Sequence, residues 1–219
     1  MEIIKYDDDA IEIMPLLLDI IMRGGIIAGP TDTVYGIFGR ADDAKVIARM
    51  FEMKKRPENK ALPMFVNNMK MARWYAYISD AKARLLETIW PGPVTAVFHH
   101  KEKLPPILTG GTDAIGLRIP GYPLVLELLS QLDVPLAQSS ANISGERPAK
   151  TAEEAAAYFE NQKQRPDLLI DGGKISGKSS VVIDLRQNAP RMLRGGAMTQ
   201  EEFETLARHI RDASALHTA

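Results

Sequence analysis

Thr31, Asp32 and Thr33 stand side by side in GPTDTVYG, residues 29–36, directly after the apolar run Ile26, Ile27, Ala28. That run is bounded by Gly25 on one side and by Gly29 and Pro30 on the other, so it reads as a short buried strand ending in a rigid turn. Ligands collect at such strand ends in open α/β sheets. Two hydroxyls and a carboxylate at this place can read a ligand or satisfy the backbone of their own turn, and the octapeptide alone leaves both readings open.

Other side chains also sit where a bare scaffold would not put them. Lys54, Lys55, Arg56 and Lys60 form a basic cluster at the end of a helical segment, suited to an anion. Arg118 lies inside the strand-like IGLRIP, where a charge must be paired within the fold or bound to an anionic ligand. SSANISG, from Ser139 to Gly145, crowds hydroxyls and amides (Ser140, Asn142 and Ser144 among them) into a loop after the strand PLAQ. Such a loop can donate several hydrogen bonds to an anion or a ribose, or simply turn the chain. Ser180 and Arg194 complete the set.

Composition narrows the chemistry. The 219 residues contain no cysteine, which excludes disulfides, thiolate metal sites and cysteine nucleophiles. The four histidines, His99, His100, His209 and His217, lack metal-binding spacing. The formal net charge of −1, from 27 basic and 28 acidic residues, gives no global field for holding nucleic acid. Gly172 to Ser179 reads GGKISGKS and satisfies the phosphate-loop pattern GxxxxGKS, but SVVIDL follows it, a buried-strand profile where that motif needs a helix N-terminus. The match is refused.

The elements that must position these residues alternate between helix and strand. A helix carrying Ile13, Leu16, Leu17, Ile20 and Ile21 follows an acidic start at Asp7, Asp8 and Asp9, and stops at Gly24 and Gly25. Strands are expected near 26–29, 34–38, 62–66, 94–98, 115–119, 135–138, 168–170 and 181–185. A helix begins near Asp42 or Asp43, Ser79 caps one ending at Trp90, and another covers 123–132. Thr151 with Glu154 and Thr199 with Glu202 are capping-box pairs for the last two. The pattern predicts an α/β fold with helices flanking one sheet, in a single domain over 1–219 with a tail that frays from about 210. MEIIKYDDDA has no signal-peptide character and no apolar run approaches roughly 20 residues, so a cytoplasmic protein without a membrane span is expected.

Seven segments in order resemble the threonylcarbamoyl-AMP synthases of YrdC type. They are PTDTVYG (30–36), KKRP (54–57), PGPVT (91–95), GLRIP (116–120), SSANISG (139–145), GKSSVVID (177–184) and LRGG (193–196). The resemblance implies an open, twisted mixed sheet flanked by helices, with a concave basic pocket. It also implies synthesis of threonylcarbamoyl-AMP from L-threonine, bicarbonate or CO2, and ATP, with pyrophosphate released. The product would feed threonylcarbamoyladenosine modification of tRNA through a downstream transferase machinery, and a weak contact with tRNA itself is among the implied partners. In this scheme Lys54 and Arg56 are catalytic; Lys54, Arg56, Lys60, Ser140, Asn142, Lys150 and Arg194 bind ATP; and Thr31, Thr33, Arg118 and Ser180 bind threonine. Arg118 would clamp the carboxylate, because its planar fork matches two parallel hydrogen bonds. Mg2+ would arrive with the ATP phosphates rather than in a protein cage.

Two positions depart from the family pattern. Phe65 stands where some members carry histidine, and Ser180 where threonine is common. The chain is also expected to be the short form, without the extra C-terminal domain of longer members. The competing readings are a tRNA- or double-stranded-RNA-binding module without catalysis, against which the near-neutral charge counts, and a related carbamoyl transfer to another acceptor.

Overall fold

The computed structural model describes residues 1–6, 12–187 and 189–215, with side chains through Arg208. Its first half runs β1 (Glu2–Lys5), α1 (Met14–Met22), β2 (Ile27–Gly29), β3 (Gly36–Arg40), α2 (Ala44–Lys54), β4 (Met64–Phe65), α3 (Met69–Tyr75), α4 (Asp80–Leu86) and β5 (Val94–His99). The second half runs α5 (Pro106–Thr109), β6 (Ala114–Arg118), α6 (Pro123–Ser130), β7 (Leu136–Ser140), α7 (Ala152–Phe159), β8 (Leu168–Asp171), β9 (Val181–Asp184), β10 (Arg191–Arg194) and α8 (Gln200–Ala215).

Local chemistry sets most boundaries. Pro15 occupies the first turn of α1, where a missing N–H costs nothing. The helix closes as the Gly24 and Gly25 amides turn back onto the carbonyls of Ile21 and Ile20. The acidic start expected at Asp7–Asp9 lies outside the described residues. Asp43 caps α2 by accepting from the amides of Lys45 and Val46, and Ser79 caps α4. That helix ends at Leu86 rather than at Trp90. The Thr199–Glu202 box is reciprocal, whereas Glu154 beside Thr151 reaches back to the Lys150 amide instead. The last helix runs on to Ala215, through most of the stretch expected to fray.

Among the described residues ten strands join one mixed sheet in the order β1-β8-β2-β3-β7-β4-β6-β5-β9-β10. The pairs β1/β8, β2/β8, β4/β6 and β5/β9 are parallel and the others antiparallel. Successive residues of a strand face opposite sides. Phe38 therefore packs with Leu17, Ile21, Leu124 and Leu128 under α1 and α6, while its neighbour Ile37 packs in the second layer with Val46, Met50, Ala155 and Phe159 under α2 and α7. The central strands are apolar on both faces for this reason, as expected of a sheet covered on both sides.

Four elements were not foreseen: β1, β10, α3 and α5. The strand expected at 34–38 starts later, at Gly36, because the Thr33 and Val34 amides are spent on the Thr31 hydroxyl in the preceding turn. The phosphate-loop look-alike runs straight into β9 with no helix after Lys178 and Ser179, in keeping with its refusal.

Candidate active site

Register brings the motifs together. Gly29 at the end of β2 faces Gly36, which opens β3, and Gly36 faces Ser140 at the end of β7. A Cβ on Gly36 would stand 3.2 Å from the Ser139 carbonyl, a tight contact that glycine avoids where these strands approach. Tyr35 ties the next layer down. Its hydroxyl donates to the Gly173 carbonyl at 2.7 Å and accepts from the Gly172 amide at 3.1 Å, fixing the loop that leads to Ser180. The Gly177 amide then reaches the Thr33 carbonyl at 3.0 Å.

Between these segments lies a cavity of about 140 Å³ lined by Thr33, Arg56, Arg118, Ser140, Ser180 and Arg194, together with Val34, Pro63, Gln138, Ser139 and Ser179. Its size is close to the roughly 150 Å³ of a void that admits benzene. It therefore suits a ligand the size of a small amino acid. Two larger concavities around α3 hold none of the expected residues.

Arg118 is 2% exposed and carries three bonds. Nε donates to the Gly92 carbonyl at 2.9 Å, Nη1 to the Thr33 hydroxyl at 3.2 Å, and Nη2 to the Asp32 carboxylate. The Phe65 ring lies 5.7 Å from its Cζ. Sequence reasoning left an internal ion pair or an anionic ligand open for Arg118; the ion pair with Asp32 is present, and the side chain still lines the cavity. A guanidinium has five N–H groups. Three are spent here, leaving one on each terminal nitrogen.

The hydroxyls have a direction. Thr31 Oγ1 donates to the Val34 carbonyl at 2.7 Å, so its contact with Thr33 Oγ1 at 2.9 Å uses the Thr33 proton. Thr33, accepting from Arg118, then shows the cavity an acceptor. Ser180 is held by Thr95 at 3.0 Å and receives Arg194 Nη2 at 2.9 Å.

Among the described residues Arg56 and Arg194 bond only to carbonyls and the Ser180 hydroxyl: Arg56 to Lys60 O and Ala61 O, Arg194 to Ser180. Burial lowers the pKa of both, followed by the charge of Arg194 acting on Arg56 and of Arg118 acting on Arg194. Three guanidinium groups thus converge near one carboxylate, which leaves the cavity receptive to anions.

Five expected site residues do not line it: Thr31, Lys54, Lys60, Asn142 and Lys150. Thr31 is buried in its turn. Lys54 is 2% exposed, and its ammonium donates to Ser140 O at 2.5 Å, Asn142 O at 2.7 Å and Asn142 Oδ1 at 3.1 Å. All three donors are consumed by the loop, so its contacts are those of a residue that positions Ser140 and not those of a phosphate ligand. Asn142 is equally occupied, accepting from Lys54 and Ser140 and donating to Glu146 O. Lys60 is exposed beside Arg56, and the Lys150 stem lies across Gly177, where a Cβ would meet its Cε at 2.4 Å. Gln138 and Ser179 line the cavity and were absent from the expected site, and Asp32 was noticed in the opening motif but given no role. For Asp32 the signal was present, since it stands between the two threonines of the opening motif.

The fold and cavity define an α/β protein with an arginine-lined receptor for a small anionic ligand. Residues 19–196 match the family model Sua5_yciO_yrdC, described as telomere recombination, and the chain belongs to that family. It is 34% identical over 199 residues to a threonylcarbamoyl-AMP synthase of Pyrococcus abyssi, covering 90% of this chain and 58% of that one. The Bacillus subtilis protein of the same name is 30% identical over 184 residues, covering 83% and 52%. The chain thus spans a little over half the length of these relatives. Among solved structures, P. abyssi Sua5 complexed with L-threonine superposes with a TM-score of 0.86 at 32% identity, over 96% of this chain and 61% of that one. Escherichia coli YciO shares the fold, with a TM-score of 0.81 at 24% identity over 92% and 98% of the chains.

Proposed function

We propose that the protein makes threonylcarbamoyl-AMP from L-threonine, bicarbonate or CO2, and MgATP, releasing pyrophosphate. The carrying observation is the pairing of an amino-acid-sized cavity, floored by the fixed Arg118 fork, with the carboxylate-free Arg56 and Arg194 beside it. The names of its relatives, and the L-threonine complex of the P. abyssi neighbour, support the same reading.

The chemistry asks little covalent work of the protein. The threonine amine adds to CO2 and loses a proton to give a carbamate. A carbamate oxygen then attacks the α-phosphorus, and the bond to the β-phosphate oxygen breaks as pyrophosphate leaves. Orientation and fixed positive charge supply the catalysis. Arg118 takes the carboxylate with its two free N–H groups and Thr33 accepts from the substrate nitrogen. Arg56 and Arg194 meet the phosphates, and Ser140, on the loop stapled by Lys54, meets the nucleotide. Lys60 and Lys150 lie within the basic surroundings of the triphosphate. Mg2+ belongs to the substrate, coordinated by phosphate oxygens; among the described residues no group of three or more His, Asp or Glu side chains forms a cage.

The product passes to a tRNA-modifying transferase, and the reaction belongs to the cytoplasm. Among the described residues no helix is long and apolar enough to cross a membrane. The test is pyrophosphate release with ATP, bicarbonate and L-threonine, each omitted in turn. Release that requires all three is the expected result, and release indifferent to threonine rejects the proposal.

A further inference from the structure

The cavity is lined by three arginines and no carboxylate, and Asp32 stands behind one of them. Its Oδ1 accepts from Arg118 Nη2, while Oδ2 is buried with no hydrogen-bond partner. Space for that oxygen is made by glycine: a Cβ on Gly121 would stand 3.2 Å from Oδ2 and 3.5 Å from the Gly92 Cα. Burying a carboxylate oxygen without a partner is unfavourable. The amides of the turn are taken by the Thr31 hydroxyl, so the Asp32 carboxylate is not there to satisfy the turn; its use is to hold Arg118.

That use is visible in the guanidinium it holds. Gly92 O, Thr33 Oγ1 and Asp32 take Nε, Nη1 and Nη2, so the plane of the fork is fixed from three directions. All three bonds have a charged donor, but the carbonyl and the hydroxyl are neutral acceptors, and Asp32 alone pairs that donor with a charged one, which makes its bond the strongest of the three. A free arginine side chain is rich in rotamers, and ligand binding must otherwise remove that freedom. Because Asp32 is outside the cavity lining, it can order the fork without competing for the ligand.

We propose that Asp32 is a positioning residue of the amino-acid subsite: it holds Arg118 so that the two remaining guanidinium N–H groups meet an incoming carboxylate in one plane. The inference rests on the proposed threonine chemistry. It places specificity for an α-carboxylate partly in a residue that never touches the substrate.

Steady-state pyrophosphate release by Asp32→Asn, Arg118→Met and the double variant tests it. Asp32→Asn should raise the threonine KM about tenfold while kcat and the ATP KM stay within about threefold. In the Arg118→Met background the same change should add nothing, since there is no fork left to hold. Equal rises in both KM values, or a full additional effect on top of Arg118→Met, would overturn the proposal. If Asp32→Asn does not fold, Asp32→Glu replaces it: a rise in threonine KM alone supports the role, and no change or a rise in both rejects it. Side-chain NMR of 15N-arginine separates this inference from the functional reading. Slowly exchanging Arg118 Nη2 protons in the wild type that exchange fast in the Asp32 variant support the positioning role even if threonine proves not to be the substrate. Unchanged exchange refutes that role.

Discussion

Arg56 and Arg194 lie against the same cavity, neither has a carboxylate partner among the described residues, and the charge of Arg194 bears on that of Arg56. Two like charges held together in a half-buried site are at rest only when an anion joins them. This relationship, more than the basic cluster around Lys54 in the sequence, marks the part of the cavity most receptive to an anion.

Loss of either arginine should therefore be costly. Arg56→Ala and Arg194→Ala are each expected to cut pyrophosphate release about 10²-fold or more, the usual effect of deleting one preorganised charge contact. Removing both should cost less than the product of the two, because each cation relieves the other when its neighbour is gone. Rates of the two single variants and the double variant check this, and full additivity would mean that the two groups do not share a ligand.

Arg118 should show a different profile. Arg118→Ala is expected chiefly to raise the threonine requirement, with a smaller effect on ATP. It also leaves the Asp32 carboxylate buried without its partner, a change that typically costs about 3–5 kcal/mol. Urea unfolding alongside threonine titration separates the two effects. An unchanged threonine KM in a folded variant would remove Arg118 from the subsite.

Much of this site was legible in the sequence because its motifs are local. A short apolar strand followed by PTDTVYG, or a charge inside IGLRIP, announces itself within a few residues. What joins them was not legible. Arg118 meets Asp32 from 86 residues away, and Lys54 reaches Ser140 and Asn142 from 86 and 88 away. A pattern of hydrophobicity carries no information on such pairings; the resemblance assigned Lys54 to the triphosphate, whereas its three donors are spent on a loop. The sheet order was hidden for the same reason, since β5 pairs in parallel with β9 across most of the second half of the chain. The strands that escaped notice, β1 and β10, are four-residue strands with mostly exposed residues, and RMLR offers little apolar signal.

Adjacent glycines after β10 should respond oppositely to alanine. A Cβ on Gly196 would meet the Ser179 carbonyl at 2.3 Å and the Ser180 carbonyl carbon and oxygen at 2.8 Å, all backbone atoms that cannot swing away. A Cβ on Gly195 meets nothing within 4 Å. Gly196→Ala must push the 194–197 segment away from Ser180 and loosen the Arg194 contacts there, whereas Gly195→Ala should stay within about 0.5 kcal/mol of wild type. The expected readout is a raised ATP KM for Gly196→Ala alone. Equal behaviour of the two variants would show that the Arg194 position does not depend on this packing.

The buried Lys54 predicts a pH dependence whose sign can be worked out. Burial, and after it the charge of Arg56, press its pKa from the ordinary 10.5 down to about 7, against three oxygens that favour the charged form. The unfolded chain keeps this proton up to about pH 10.4. Between these values unfolding takes up a proton, so stability rises with pH across that window, while below pH 7 the penalty on the folded state is constant. Lys54→Met removes the titration and leaves the other groups in place. The difference in unfolding free energy, wild type minus Lys54→Met, should therefore increase from pH 7 to pH 10 and be flat from pH 5 to pH 6.5. Over the same range a neutral Lys54 has two N–H donors for three acceptors, so the loop that carries Ser140 and Asn142 slackens and the wild-type ATP KM rises. A stability difference that stays flat through pH 10 would mean that the three acceptors outweigh burial and that the staple remains charged throughout.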